Sequence, residues 1–244
     1  KGKMMKFINN KIALAICVAL SVTACSPEKT PEEYISAAKV NINASKNTDA
    51  IIALKNAIRA DLKNAEARIL LGSLYLNMGE AAAADKELER ALALSGDVDN
   101  ILPKLLKSYN LQNKSTETIE LIAEHDVITP EILLYQALAY NRMGEKEKGI
   151  ESIEQASEIS TDSLYSQLGA AYLKADSSDI KGAIEIIDNI LVVEPNLTEA
   201  ILLKGQLHFA QQDYVNAINA FNDYYHLLPN DAQIRLYLAN AYIK

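Results

Sequence analysis

Three stretches of this 244-residue chain repeat one phrase in the same order. Leu71-Gly72-Ser73-Leu74-Tyr75 is followed by Ala84, Leu88 and Ala91. Leu168-Gly169-Ala170-Ala171-Tyr172 is followed by Ala183 and Ile187, and Lys204-Gly205-Gln206-Leu207-His208 by Ala217, Phe221 and Tyr224. Self-similarity at this period leaves few architectures open, because one unit cannot bury its apolar face alone and must stack on copies of itself. From Pro31 onward, apolar residues recur at helical spacing in segments of about 13 to 15 residues, separated by short Gly, Asn or Asp breaks. No stretch shows the sustained alternation of β-branched residues that strands require. The expected fold class is therefore all-α.

Phased on those landmarks, the units begin at Pro31, Ala65, Asp99, Pro130, Asp162, Thr198 and Ala232, spaced by 34, 34, 31, 32, 36 and 34 residues. Two small residues per unit are expected to meet where paired helices cross. The first is Ala38, Gly72, Ala137, Gly169, Gly205 or Ala239, with Leu106 the exception. The second is Ala50, Ala84, Gly149, Ala183 or Ala217, with Thr118 the exception. The third unit breaks both rules, so it is expected to pack loosely and bend the stack. An aromatic plug follows at Tyr75, Tyr109, Tyr140, Tyr172 and Tyr242, with His208 in the sixth unit. Gly79 and Gly144 stand where the turn inside a hairpin needs a permissive backbone. The two extra residues of the fifth unit are read as a longer turn in Ala175-Asp176-Ser177-Ser178-Asp179, tolerable because loop-closure entropy grows slowly with length.

In these residues the chain resembles the tetratricopeptide repeat (TPR) family, whose unit is a 34-residue helix–turn–helix. The resemblance implies a TPR α-solenoid, a right-handed superhelix covering residues 31–244. Its repeats would run at about 31–64, 65–98, 99–129, 130–161, 162–197 and 198–231, with a partial one at 232–244.

Residues 1–24 read as an export signal. Lys1, Lys3, Lys6 and Lys11 precede an apolar run from Ile12 to Val22. That run is too short for the roughly 20 residues a spanning helix needs and has the length of a secretory core segment. It ends in Val22-Thr23-Ala24-Cys25-Ser26, which resembles a bacterial lipobox. The resemblance implies that the Cys25 thiol takes a diacylglyceryl group, that cleavage follows before it, and that the new amine is fatty-acylated, as by palmitate. Residues 25–30 would then be the acylated Cys and its tether. The signal holds four Lys and no acid, so its removal takes the net charge from −8 to −12. Such a body does not adhere to anionic lipid, and the acyl chains must hold it. Ser26, standing where an Asp would retain the protein at the inner membrane, implies the outer membrane, facing the periplasm. Cys17 lies in the apolar run and reads as a small hydrophobe. The start before Met4 and the uncapped end at Ala241-Tyr242-Ile243-Lys244 read as clipped ends of a longer chain.

A narrower resemblance joins the lipobox to Leu54-Lys55-Asn56-Ala57-Ile58, to Asn64 through Gly72, and to Ile101-Leu102-Pro103-Lys104-Leu105-Leu106. These segments are similar to the TPR lipoproteins of the exosortase/PEP-CTERM system, of which this would be an N-terminal fragment. That family accompanies exopolysaccharide gene clusters, which implies a scaffold for polysaccharide export or protein sorting. An assembly factor or chaperone for an outer-membrane machine, such as a pilus or barrel complex, is the alternative. Direct polysaccharide binding ranks last, because Trp is absent and most Tyr fall on plug positions.

Catalytic constellations are not found. The net negative charge removes a basic footprint for nucleic acid. Two Cys and three His leave neither a disulfide scaffold nor a zinc cluster. His125, between Glu124 and Asp126, reads as a wetted helix end, because adjacent helical residues point in different directions. His208 reads as core and His226 as the close of a helix before Pro229. No zinc-binding HExxH, phosphate-cradling glycine loop or nucleophile elbow occurs. The chain is expected to be no enzyme, with no cofactor, metal or small-molecule substrate.

The expected working surface is the concave groove, lined in the family by positions 2, 5, 9, 12 and 13 of each first helix. Here those positions supply Ile69, Ser73, Leu76, Asn77, Lys107, Asn110, Leu111, Leu134, Leu138, Asn141, Arg142, Ser166, Leu173, Lys174, Leu202, Gln206 and Phe209. A protein partner is expected there, its backbone met by Asn77, Asn110, Asn141 and Gln206 and its carboxylates by Lys107, Arg142 and Lys174. For the anchor, Cys25→Ser should leave the precursor uncleaved by signal peptidase II and unlabelled by radioactive fatty acid. Normal labelling of that variant would remove the lipid from Cys25.

Overall fold

The computed structural model describes residues 29–244, so the export signal and Cys25 lie outside the described residues. Thirteen helices follow one another there, with no strand among the described residues. They pair as α1 (Pro31–Asn43) with α2 (Asn47–Ala60), α3 (Ala65–Asn77) with α4 (Ala81–Ser95), and α5 (Val98–Leu111) with α6 (Ser115–Glu124). Next come α7 (Pro130–Met143) with α8 (Lys146–Ile159), α9 (Leu164–Asp176) with α10 (Ile180–Val193), and α11 (Thr198–Ala210) with α12 (Tyr214–Leu227). The last helix, α13 (Ala232–Ile243), stacks on α12. No helix among the described residues is long and apolar enough to cross a membrane.

Every hairpin turns in the same way. The chain enters the left-handed region once per turn, at Ser45, Gly79, Asn113, Gly144, Ser178 and Gln212, with φ between 56° and 81°. The next amide then reaches back five residues to a carbonyl of the helix just ended, as in Glu80 to Tyr75 at 2.9 Å and Asp213 to His208 at 2.9 Å. This is the Schellman closure that satisfies orphan carbonyls. Glycine occupies only two of the six positions, and the exposed Ser45, Asn113, Ser178 and Gln212 take the same left-handed backbone at the others.

Small residues at the crossings are buried as expected, except Ala239 on α13, which has no partner helix among the described residues and is exposed. Ala38, Ala50, Ala84, Ala137, Ala183 and Ala217 have no exposed surface. A Cβ placed on Gly72 would come 2.6 Å from Leu88 Cγ and 3.3 Å from the Ala84 carbonyl. Gly205 lies equally close under the ring of Phe221. The row Leu54, Leu88, Ile153, Ile187 and Phe221 recurs on the second helix of every hairpin but the third and forms the spine of the core.

The phase of the fifth unit differs from the sequence reading. The Ser178 turn and its bond from Asp179 to Lys174 at 2.8 Å fix the hairpin end. Helix α9 starts at Leu164, capped by Ser163, whose hydroxyl accepts from the Tyr165 amide at 3.3 Å. The fourth and fifth units are therefore 130–163 and 164–197, both of ordinary length, and no lengthened turn exists at Ala175–Asp179. Gly169 was misleading: it lies against Ile153 of the preceding hairpin, and Ala171 takes the crossing inside its own. Only the third unit departs in length. Its α6 has ten residues, buries only Thr118, and makes the least contact with its partner helix of any hairpin. Position 27, an apolar or aromatic core residue elsewhere, is here His125, already past the helix end.

Because Gly72 is pressed on Leu88, Gly72→Leu should cost on the order of 1–3 kcal/mol or more through overpacking. Lys86→Leu, on the exposed face of α4, should stay within about 0.5 kcal/mol. Urea denaturation of both variants decides, and equal shifts would overturn the assigned crossing.

Candidate functional site

The first helices of successive hairpins, α5, α7, α9, α11 and α13, line the concave side. Their curvature is strong enough that side chains meet across it. Lys107 on α5 reaches α11, three hairpins away in order, with Nζ 3.2 Å from Glu199 Oε1 and 2.9 Å from Thr198 Oγ1. The Tyr135 hydroxyl on α7 donates to Glu199 Oε1 at 2.8 Å, and the Thr198 hydroxyl donates to Oε2 at 2.9 Å. Glu199 is buried, with a side chain only 7% exposed. Burial opposes its charge, yet the Lys107 ammonium and the hydrogen bonds it accepts hold its carboxyl below the usual range.

Glu131 on α7 sits beside this pair. Burial first, then the nearby Glu199 charge, push its carboxyl upward, while Tyr165, Lys107 and Lys104 partly relieve it. The phenols of Tyr135, Tyr165 and Tyr172 are all pushed up, chiefly by burial. Further toward the hairpin turns, Arg142 donates from Nη2 to Asn110 Oδ1 at 2.6 Å. Burial lowers its affinity for the proton, and Tyr172 and Tyr237 are the neighbours that favour its charge. Among the described residues no carboxylate lies within ion-pair distance of Arg142. Tyr237 on α13 stacks on Phe221 with ring centroids 5.2 Å apart and accepts from Gln206 Nε2 at 2.9 Å.

The residues expected in the groove divide accordingly. Lys107, Asn110, Arg142 and Gln206 converge on the channel. Asn77 is exposed at the end of α3. Asn141 turns back against Gly149 in its own hairpin, where a glycine leaves room for it. Lys174 is not in the channel: it bridges Asp179 at 2.6 Å in the exposed turn, because the two-residue phase shift moves it off the inner face. The same shift brings Tyr165 and Tyr172 inward. Leu76, Leu134 and Ser166, also expected on the groove wall, are buried, since neighbouring helices close over them. Glu131, Glu199, Tyr135 and Tyr237 were not anticipated. Glu131 and Glu199 share the second position of their repeats, a coincidence visible in the phased sequence.

Residues 65–97 and 168–232 each match the tetratricopeptide repeat. No curated protein matches the sequence at a significant level. Among solved structures, a tetratricopeptide repeat protein from Parabacteroides merdae is similar at 17% identity and a TM-score of 0.54, covering 87% of this chain and 98% of that one. PilF of Pseudomonas aeruginosa is similar at 18% identity and 0.53, covering 86% and 97%. MamA of Desulfovibrio magneticus RS-1 is similar at 16% and 0.54, covering 71% and 99%. At such identities the likeness concerns the fold, and that fold is a TPR α-solenoid.

The raised Glu131 carboxyl has a definite sign. A carboxyl bound more tightly to its proton when folded destabilises the fold once ionised, and that cost vanishes as pH falls below its unfolded value near 4.3. Glu131→Gln should therefore raise the melting temperature at pH 7, by a margin that shrinks toward pH 4. A constant margin would remove the electrostatic cause.

Proposed function

We propose that this chain is a non-catalytic scaffold for protein partners, held at the bacterial envelope by a lipid on Cys25, at the outer membrane facing the periplasm. Its setting is exopolysaccharide biosynthesis or export together with PEP-CTERM protein sorting. The repeats support the interaction role, because stacked hairpins offer an extended inner surface. The short apolar run and the Cys that ends it support the anchor, and the segments Leu54–Ile58, Asn64–Gly72 and Ile101–Leu106 support the setting.

Arg142 carries the reading. It is a solvent-accessible guanidinium on an acidic protein, bonded to a neutral amide, with the Tyr172 and Tyr237 phenols favouring its charge. A planar cation with remaining donors suits a carboxylate of an extended partner segment. Charged hydrogen bonds of this kind contribute roughly 1.5–3 kcal/mol, about tenfold or more in affinity. Arg142→Glu should therefore lower partner capture from crosslinked envelopes at least tenfold, with circular dichroism unchanged. Lys86→Glu combined with Lys181→Glu, both on exposed outer faces, should capture as the wild type does. Equal capture by both variants would remove the channel as the interface. Unchanged polysaccharide export on deletion of the chain would detach it from that pathway.

A further inference from the structure

The channel is already holding a carboxylate of its own. Lys107 of α5 and the Tyr135 hydroxyl of α7 meet Glu199 of α11, whose neighbour Thr198 adds a third hydrogen bond. A second closure lies at the rim. There the connection between α12 and α13 meets the turn between α3 and α4, with Asn230 Nδ2 donating to Glu80 Oε1 at 3.3 Å. Only a glycine fits at this seam, because a Cβ on Gly79 would come 2.8 Å from the Asp231 amide nitrogen. Leu111 contributes to the apolar clusters of both ends of the chain. A cleft of about 660 Å³ remains along the seam, walled by Ala83, Leu111, Gln112, Ala232 and Leu236. Leu236 is 66% exposed there.

We infer that this closure is an internal clasp: Glu199 stands in for an acidic side chain of the partner, and the superhelix opens at the Glu80–Asn230 seam when that side chain replaces Glu199 on Lys107. The inference rests on the channel reading above and specifies what regulates it. Both closures join the same two parts, α1–α5 and α11–α13, so one motion releases both. The place for that motion is the third hairpin, whose short α6 packs least on its partner and leaves a five-residue connection from His125 to Thr129. The buried cluster of Leu102, Leu106, Ile132 and Tyr135 between α5 and α7 is the pivot, and the exposed Asn230–Glu80 bond at the rim is the contact that opens at low cost. A ligand shifts such an equilibrium only by binding the open form better. A carboxylate does so here, because Lys107 accepts it only once Glu199 has left, and Arg142 beside it carries no carboxylate.

The test uses the full chain with Cys17→Ser and Cys25→Ser, carrying Glu80→Cys and Asn230→Cys so that oxidation can lock the seam. Glu199→Gln should slow formation of that disulfide at least tenfold and lengthen the maximum dimension in small-angle scattering. Lys107→Met with Glu199→Met, an uncharged pair, should close as the wild type does. Unchanged crosslinking and scattering in Glu199→Gln would overturn the clasp, as would a slowing matched by loss of helical circular dichroism. The ligand arm uses fluorescent hexaglutamate, with hexaglutamine as the neutral control. Hexaglutamate should bind Glu199→Gln at least tenfold more tightly than wild type, and the oxidised lock at least tenfold more weakly than the reduced one. Equal binding by wild type, lock and Glu199→Gln would overturn the clasp and leave the channel reading standing. Opening in Glu199→Gln without hexaglutamate binding to any variant would overturn the carboxylate channel and leave the clasp standing.

Discussion

Every hairpin but the third depends on one close crossing, where a residue with little or no side chain lets its two helices touch. Gly72 under Leu88 and Gly205 under Phe221 show how little room is left. The crossing fixes the spacing of the pair, and the left-handed turn residue fixes its register. Given both, the second helix presents its spine residue to the core in every unit but the third, and the next hairpin has one place to stack. Stacking units of one geometry produces curvature without any residue dedicated to it.

Curvature then decides what the inner face can be. The arc is tight enough for α5 to meet α11, so the groove becomes a channel and polar groups on its wall find each other. A buried carboxylate is costly unless charge and hydrogen bonds surround it, and Glu199 has an ammonium and two hydroxyls. Structural ties of the same kind hold the outer layers. Arg68 on α3 joins Glu87 on α4 at 2.6 Å and the Leu62 carbonyl of the connection before α3 at 3.1 Å. Asp85 on α4 receives Lys114 at 2.5 Å and Gln112 at 2.8 Å from the next hairpin turn. The channel pair differs from these in spanning distant units.

The repeat phase was legible wherever several landmarks agreed. In units one, two and six, small residues, spine and turn coincide, and the helices lie where the spacing puts them. The fifth unit misled because Leu168-Gly169 copies the phrase of Leu71-Gly72 two residues out of step. A glycine records only that something comes close, and at Gly169 that neighbour is Ile153 of the hairpin before. The third unit was legible as an irregularity, since Leu106 and Thr118 stand where small residues belong. The turn residues Ser45, Asn113, Ser178 and Gln212 were not, because none declares a left-handed backbone as glycine does.

By itself, the sequence determined the repeating helical hairpin, because apolar period, small crossings and breaks are local patterns read within a single unit. It also supplied the acidic balance and the inward-facing Lys107, Asn110, Arg142 and Gln206. Only the tertiary structure decided that Lys107 meets Glu199, that Gln206 meets Tyr237, and that Glu80 meets Asn230 at the rim. Those pairs lie 92, 31 and 150 residues apart. The first and last depend on small rotations accumulated over several hairpins, and no single repeat encodes that sum.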